Sequence, residues 1–94
     1  MSQTEEITRR HIIFYGRVQG VGFRYTAYYS ATELGLTGWV KNQWDGTVEM
    51  EVQGSGPQID RLLAMLNGGR FIKISDMDIK TIPPLDSDCG FEVH

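Results

Sequence analysis

The chain has 94 residues, 40% of them hydrophobic, with nine Lys and Arg against twelve Asp and Glu for a formal net charge of −3. That length holds one domain, 1–94. The acidic balance opposes non-specific nucleic-acid binding, and no apolar run approaches the ~20 residues of a membrane span.

Residues 1–7 read as a polar lead-in without the basic and apolar parts of a secretion signal. From Thr8 to Tyr15 apolar residues fall on both parities, which predicts a central strand. Phe23, Ala27, Ala31 and Leu34 stand at helical spacing and Gly35 supplies a stop, which predicts a helix over 23–34. Leu36 to Gln43 and Thr47 to Gln53 alternate around Asp45-Gly46 and predict a hairpin, with Val48, Met50 and Val52 inward and Glu49 and Glu51 on a solvated face. Gly54-Ser55-Gly56 predicts a break. Pro57 opens a second helix with Ile59, Leu62, Leu63 and Leu66 on one stripe, ended by Gly68-Gly69. Phe71 to Ile82 is extended, but Ile72 and Ile74 have one parity and Met77 and Ile79 the other, so a bulge or late strand start near Asp76 is expected. Pro83-Pro84 stops it, and Gly90 to His94 closes the chain as a short strand. The order β-α-β-β-α-β plus a final strand predicts an α+β, ferredoxin-like sandwich, an antiparallel sheet with two helices on one face.

Between the first strand and the first helix stands Gly16-Arg17-Val18-Gln19-Gly20-Val21-Gly22-Phe23-Arg24. Its glycines allow backbone angles that turn successive N–H groups into one concavity suited to an anion. The helix start adds unpaired N–H groups and the positive end of its dipole. Arg24, in the first helical turn, offers a planar fork that matches phosphate oxygens. Spacing alone makes such a loop more often a plain turn, Arg24 a solvated arginine and Asn42 a strand-end amide. The Lys-Ser/Thr ending of a nucleotide-binding P-loop is missing, which argues against nucleotide hydrolysis. The acidic balance leaves room for a local basic spot at Arg9, Arg10, Arg17 and Arg24. One Cys and two separated His make no metal motif. Cys89, alone, cannot form an intramolecular disulfide and points to a reducing, cytoplasmic setting. Tyr25, Tyr28 and Tyr29 form an aromatic patch on the first helix, expected to be partly buried or at the rim of a site.

Taken with Gly38-Trp39-Val40-Lys41-Asn42 and Asp45-Gly46-Thr47-Val48, the 16–24 block resembles the acylphosphatase family, from about Arg9 to His94. The resemblance implies the same ferredoxin-like fold and hydrolysis of the carboxyl–phosphate anhydride to a carboxylate and inorganic phosphate, with no metal or other cofactor. It implies that Arg24 is the phosphate-binding arginine, Asn42 the water-positioning asparagine, and Gly16, Arg17, Val18, Gln19, Gly20, Val21, Gly22 and Phe23 the phosphate loop. Residues 68–75 depart from the family's pattern and touch no catalytic position. Similar domains open larger hydrogenase-maturation proteins; a stand-alone monomeric enzyme is expected here, acting on a small acyl phosphate without nucleic acid or membrane. The alternative is a non-catalytic phosphate- or RNA-binding module on the same fold. Against it, Val48-Glu49-Met50-Glu51 stands where such a module carries its aromatic signature.

Overall fold

A computed structural model describes residues 6–94, so most of the expected 1–7 lead-in lies outside the described residues. Seven elements follow in chain order: β1 (Ile7–Arg17), α1 (Phe23–Glu33), β2 (Thr37–Asn42), β3 (Val48–Ser55), α2 (Gly56–Asn67), β4 (Lys73–Ile82) and β5 (Phe91–Val93). The strands form one sheet in the order β4-β1-β3-β2-β5. Every pairing is antiparallel except that of β5, which runs parallel to β2. The sheet is therefore mixed rather than wholly antiparallel, because the chain crosses the whole sheet between β4 and β5 and arrives at the far edge in the direction of β2.

Both helices cover one face. Ile12 and Phe14 of β1, Val40 of β2, and Val48, Met50 and Val52 of β3 are fully buried there. They meet Phe23, Ala27 and Ala31 of α1 and Ile59, Leu62 and Leu66 of α2. Full burial of a large apolar side chain contributes about 1.5–3 kcal/mol. The Phe14 and Phe23 rings meet edge-on at 4.9 Å, which pins the first residue of α1 over the end of β1. The connecting loop is thereby held at both ends.

Local chemistry sets the junctions. After α1, Leu36 N–H donates to the Ala31 carbonyl at 2.8 Å and Gly35 N–H to the Thr32 carbonyl at 3.1 Å, a Schellman ending on the left-handed Gly35. At Ser55 the expected break is a direct strand-to-helix junction. Ser55 still pairs with Ile7, while its hydroxyl accepts from Gln58 N–H at 3.3 Å and Pro57 stands in the first turn of α2. On β4 the register moves from Tyr15 opposite Asp76 to Gly16 opposite Ile74, which leaves Ser75 as the extra residue of a bulge. This is the cause of the parity switch in the sequence. A Cβ at Gly16 would lie 2.2 Å from the Lys73 carbonyl oxygen, so only glycine lets the strands approach at the bulge.

The open face is not a bare solvated surface. Arg9 is 2% exposed there. It donates from Nε to Glu51 at 2.9 Å and from Nη1 to Asp88 at 2.8 Å and to Gln53 at 3.1 Å. Thr37 donates to the same Asp88 oxygen at 2.7 Å. Leu85 and Gln53 exchange two further hydrogen bonds. Segment 83–90 is thus strapped across β3, β1 and β2. Glu49, for its part, pairs with His11 at 2.7 Å. The local basic spot is not formed: alternation puts Arg9 and Arg10 on opposite faces, and Arg10 pairs with Asp60 of α2 at 2.8 Å.

Candidate active site

Sequence analysis places the phosphate loop at 16–23. In the structure β1 continues through Gly16 and Arg17, both paired with β4, and α1 begins at Phe23, so the irregular segment is 18–22. Gly20 and Gly22 hold φ of 72° and 77°. A Cβ at either would meet nothing within 4 Å, so conformation rather than crowding demands glycine. Gly22 is also the residue before α1 and offers no side-chain cap, and no acidic residue stands in the first turn. Among the described residues, the backbone N–H groups of 18–22 have no hydrogen-bond acceptor. A run of free amides followed by an uncapped helix start is a concentration of positive partial charge.

Beside it lies a cavity of about 110 Å³. Val18 and Phe23 form its apolar floor, Gly20 and Gly22 its loop wall, and Arg24, Tyr25 and Asn42 its remaining sides. Gly16, Arg17, Gln19 and Val21 do not line it. Val21 packs against the core instead. Gln19 turns to the hairpin, where its Nε2 donates to the carbonyls of Gln43 at 2.7 Å and Thr47 at 2.8 Å. That brace ties the loop to the strand end carrying Asn42. The hairpin itself is set by Asp45, which accepts from the Thr47 hydroxyl at 2.6 Å and from its N–H at 3.1 Å. Those two Thr47 bonds hold the Asp45 carboxyl below the usual carboxylate range.

Arg24 and Asn42 come together from separate elements. Asn42 is the last residue of β2, on the helix-covered face, opposite Val48. Its Oδ1 is buried without a hydrogen-bond partner, and no other side-chain oxygen or nitrogen among the described residues is so placed. An unpartnered buried carboxamide oxygen costs about 1–3 kcal/mol and needs a donor from outside the protein. Arg24 is half-buried and donates from Nη1 to a main-chain oxygen of His94 at 2.7 Å. His94 N–H in turn donates to Val40 at 2.9 Å, so the end of the chain is fixed along β2 and aims the guanidinium. The rest of the guanidinium fork is left for a ligand.

Of the residues singled out in the sequence, the structure brings Arg24, Asn42, Gly20 and Gly22 around one cavity, with Tyr25 of the aromatic patch. Sequence reasoning missed the His94 main-chain oxygen, because a main-chain acceptor leaves no residue-type signal. It gave no sign that the Gln19 side chain braces the loop to the hairpin.

The acylphosphatase family profile matches residues 10–93. An acylphosphatase from Bifidobacterium longum is 41% identical over 87 residues, covering 92% of this chain and 90% of its own length. One from Geobacillus kaustophilus is 51% identical over 73 residues, covering 77% and 78%. The crystal structure of acylphosphatase from Bacillus subtilis superposes with a TM-score of 0.85 at 34% identity, covering 93% of this chain and 98% of that one. On profile, sequence and fold together, the chain belongs to the acylphosphatase family.

Proposed function

We propose that this chain hydrolyses acyl phosphates to a carboxylate and inorganic phosphate, with the phosphoryl group held by the 18–22 amides and Arg24 and the attacking water held by Asn42. The carrying observation is the orphaned, buried Asn42 Oδ1 in the same small cavity as Arg24 and the glycine loop. Phosphoryl transfer asks for positioning and charge stabilisation more than for covalent chemistry by the protein. The loop amides, the α1 terminus and the guanidinium stabilise the equatorial oxygens. Asn42 Oδ1 accepts one hydrogen bond from water and so directs its lone pair at phosphorus. A neutral carboxamide is no base; the water proton passes to a phosphoryl oxygen of the substrate. The acyl carboxylate is a weak base and departs without a general acid, in keeping with a cavity whose lining carries no carboxylate or imidazole.

No helix among the described residues is long and apolar enough to cross a membrane. Free, exposed Cys89 fits a reducing cytoplasm. On the open sheet face, Glu49 and Glu51 stand where an RNA-recognition domain would present stacking rings, which disfavours the binding-module alternative.

The test is hydrolysis of benzoyl phosphate in ¹⁸O-water, with and without a chelator. Label in phosphate, chelator-resistant turnover and loss of turnover in Arg24→Ala are expected. Label in benzoate would place the attack on the acyl carbon and refute the assignment of roles.

A further inference from the structure

We propose that the ring of Tyr25 is the acyl-contacting surface of this site and makes the enzyme favour aromatic acyl phosphates over acetyl phosphate. The inference rests on the hydrolase assignment above and concerns the half of the substrate that the phosphate site leaves undetermined. The cavity of about 110 Å³ has the room of three or four waters at about 30 Å³ each. Pockets that enclose a whole small-molecule ligand begin near ~300 Å³. A phosphoryl group and one water therefore fill the cavity, and the acyl half stands outside its mouth.

The direction of exit follows from the chemistry. Attacking and leaving oxygens lie roughly in line on opposite sides of phosphorus. With the water on buried Asn42 Oδ1, the carboxylate leaves away from that wall, toward the open side. Val18 and Phe23 are buried and close the floor. Gly20 and Gly22 have no side chains and face open space. Tyr25, 64% exposed and yet lining the cavity, is the ring an emerging acyl group meets. A tyrosine ring offers a large rigid contact area with little conformational entropy to lose, and stacking on it is selective for aromatic partners.

The test compares kcat and KM for benzoyl phosphate and acetyl phosphate in wild type, Tyr25→Ala, Tyr25→Phe and Tyr29→Ala. Tyr29, 67% exposed and in contact with Tyr28, is one turn further along and serves as the surface control. In Tyr25→Ala the benzoyl-to-acetyl ratio of kcat/KM is expected to fall about five- to tenfold. The fall comes through KM for benzoyl phosphate, and the change in KM for acetyl phosphate is several-fold smaller. Tyr25→Phe keeps the wild-type ratio, as does Tyr29→Ala. An active Tyr25→Ala enzyme with an unchanged ratio, or an equal loss on both substrates, would overturn the acyl contact and leave the hydrolase assignment standing. A wild type inactive on both substrates would overturn that assignment and this inference with it.

Discussion

Arg24 sits where a cation is least expected. It occupies the first turn of α1, beside the positive end of the helix dipole and a run of free amides, with no acidic side chain in that turn. A cation is unfavourable there unless an anion joins it, and the Arg24 Nη1 is engaged by a main-chain oxygen of His94. Arg24→Ala is expected to lower kcat/KM for benzoyl phosphate by about 10²–10³-fold, the range typical of a lost preorganised donor. Arg24→Lys should recover only a small part of this, since an ammonium keeps the charge but cannot hold His94 and fork two phosphoryl oxygens together. Steady-state kinetics of the two variants checks both statements; a lysine variant near wild type would mean that charge alone matters. These residues were legible in sequence because a glycine turn, an arginine and an asparagine are unusual in what they offer an anion. The brace made by the Gln19 side chain was not: a side-chain amide can serve a ligand or a backbone equally well, and only the fold brings the Gln43 and Thr47 carbonyls to it.

At the level of elements, the strap from β4 to β5 is the feature that periodicity could not reveal. Alternation identified the β2–β3 hairpin and both helices because each buries one face. It gave the bulge on β4 only as a parity conflict, and the parallel course of β5 not at all, since three residues carry no directional signal. The strap is held by Asp88. Burial alone would raise the Asp88 carboxyl, but hydrogen bonds from Thr37 and Arg9 and the Arg9 charge outweigh it and hold the carboxyl below its ordinary 3.8. A carboxyl lowered in the folded state stabilises at pH above 3.8 and loses that contribution as pH falls through its lower folded value. Asp88→Ala is therefore expected to cost about 2 kcal/mol at neutral pH, chiefly by leaving buried Arg9 short of a partner. The difference from wild type should shrink as pH drops below about 3.8. Urea unfolding of both proteins at neutral and acid pH measures it; a pH-independent difference would contradict the ion pair as its source.

For the whole molecule, the cavity draws on parts far apart in the chain: loop 18–22, the start of α1 and the end of β2, with the residue after β5 holding Arg24. None forms the site alone, so ligand binding and global folding are linked. Inorganic phosphate at ten times its Kd should add about 1.4 kcal/mol of stability, a rise of roughly 6–10 °C in Tm for a domain of this size. The same phosphate should leave the Tm of Arg24→Ala unchanged in a thermal melt. A variant that responds like wild type would place the anion elsewhere.

The division of labour inside the cavity is open to a single paired measurement on Asn42→Ala: kcat for benzoyl phosphate, and the Tm shift produced by inorganic phosphate. With phosphate held by the loop and Arg24 and water held by Asn42, the phosphate shift stays at its wild-type size while kcat falls about 100-fold. A wild-type kcat, or a phosphate shift lost together with turnover, would contradict it.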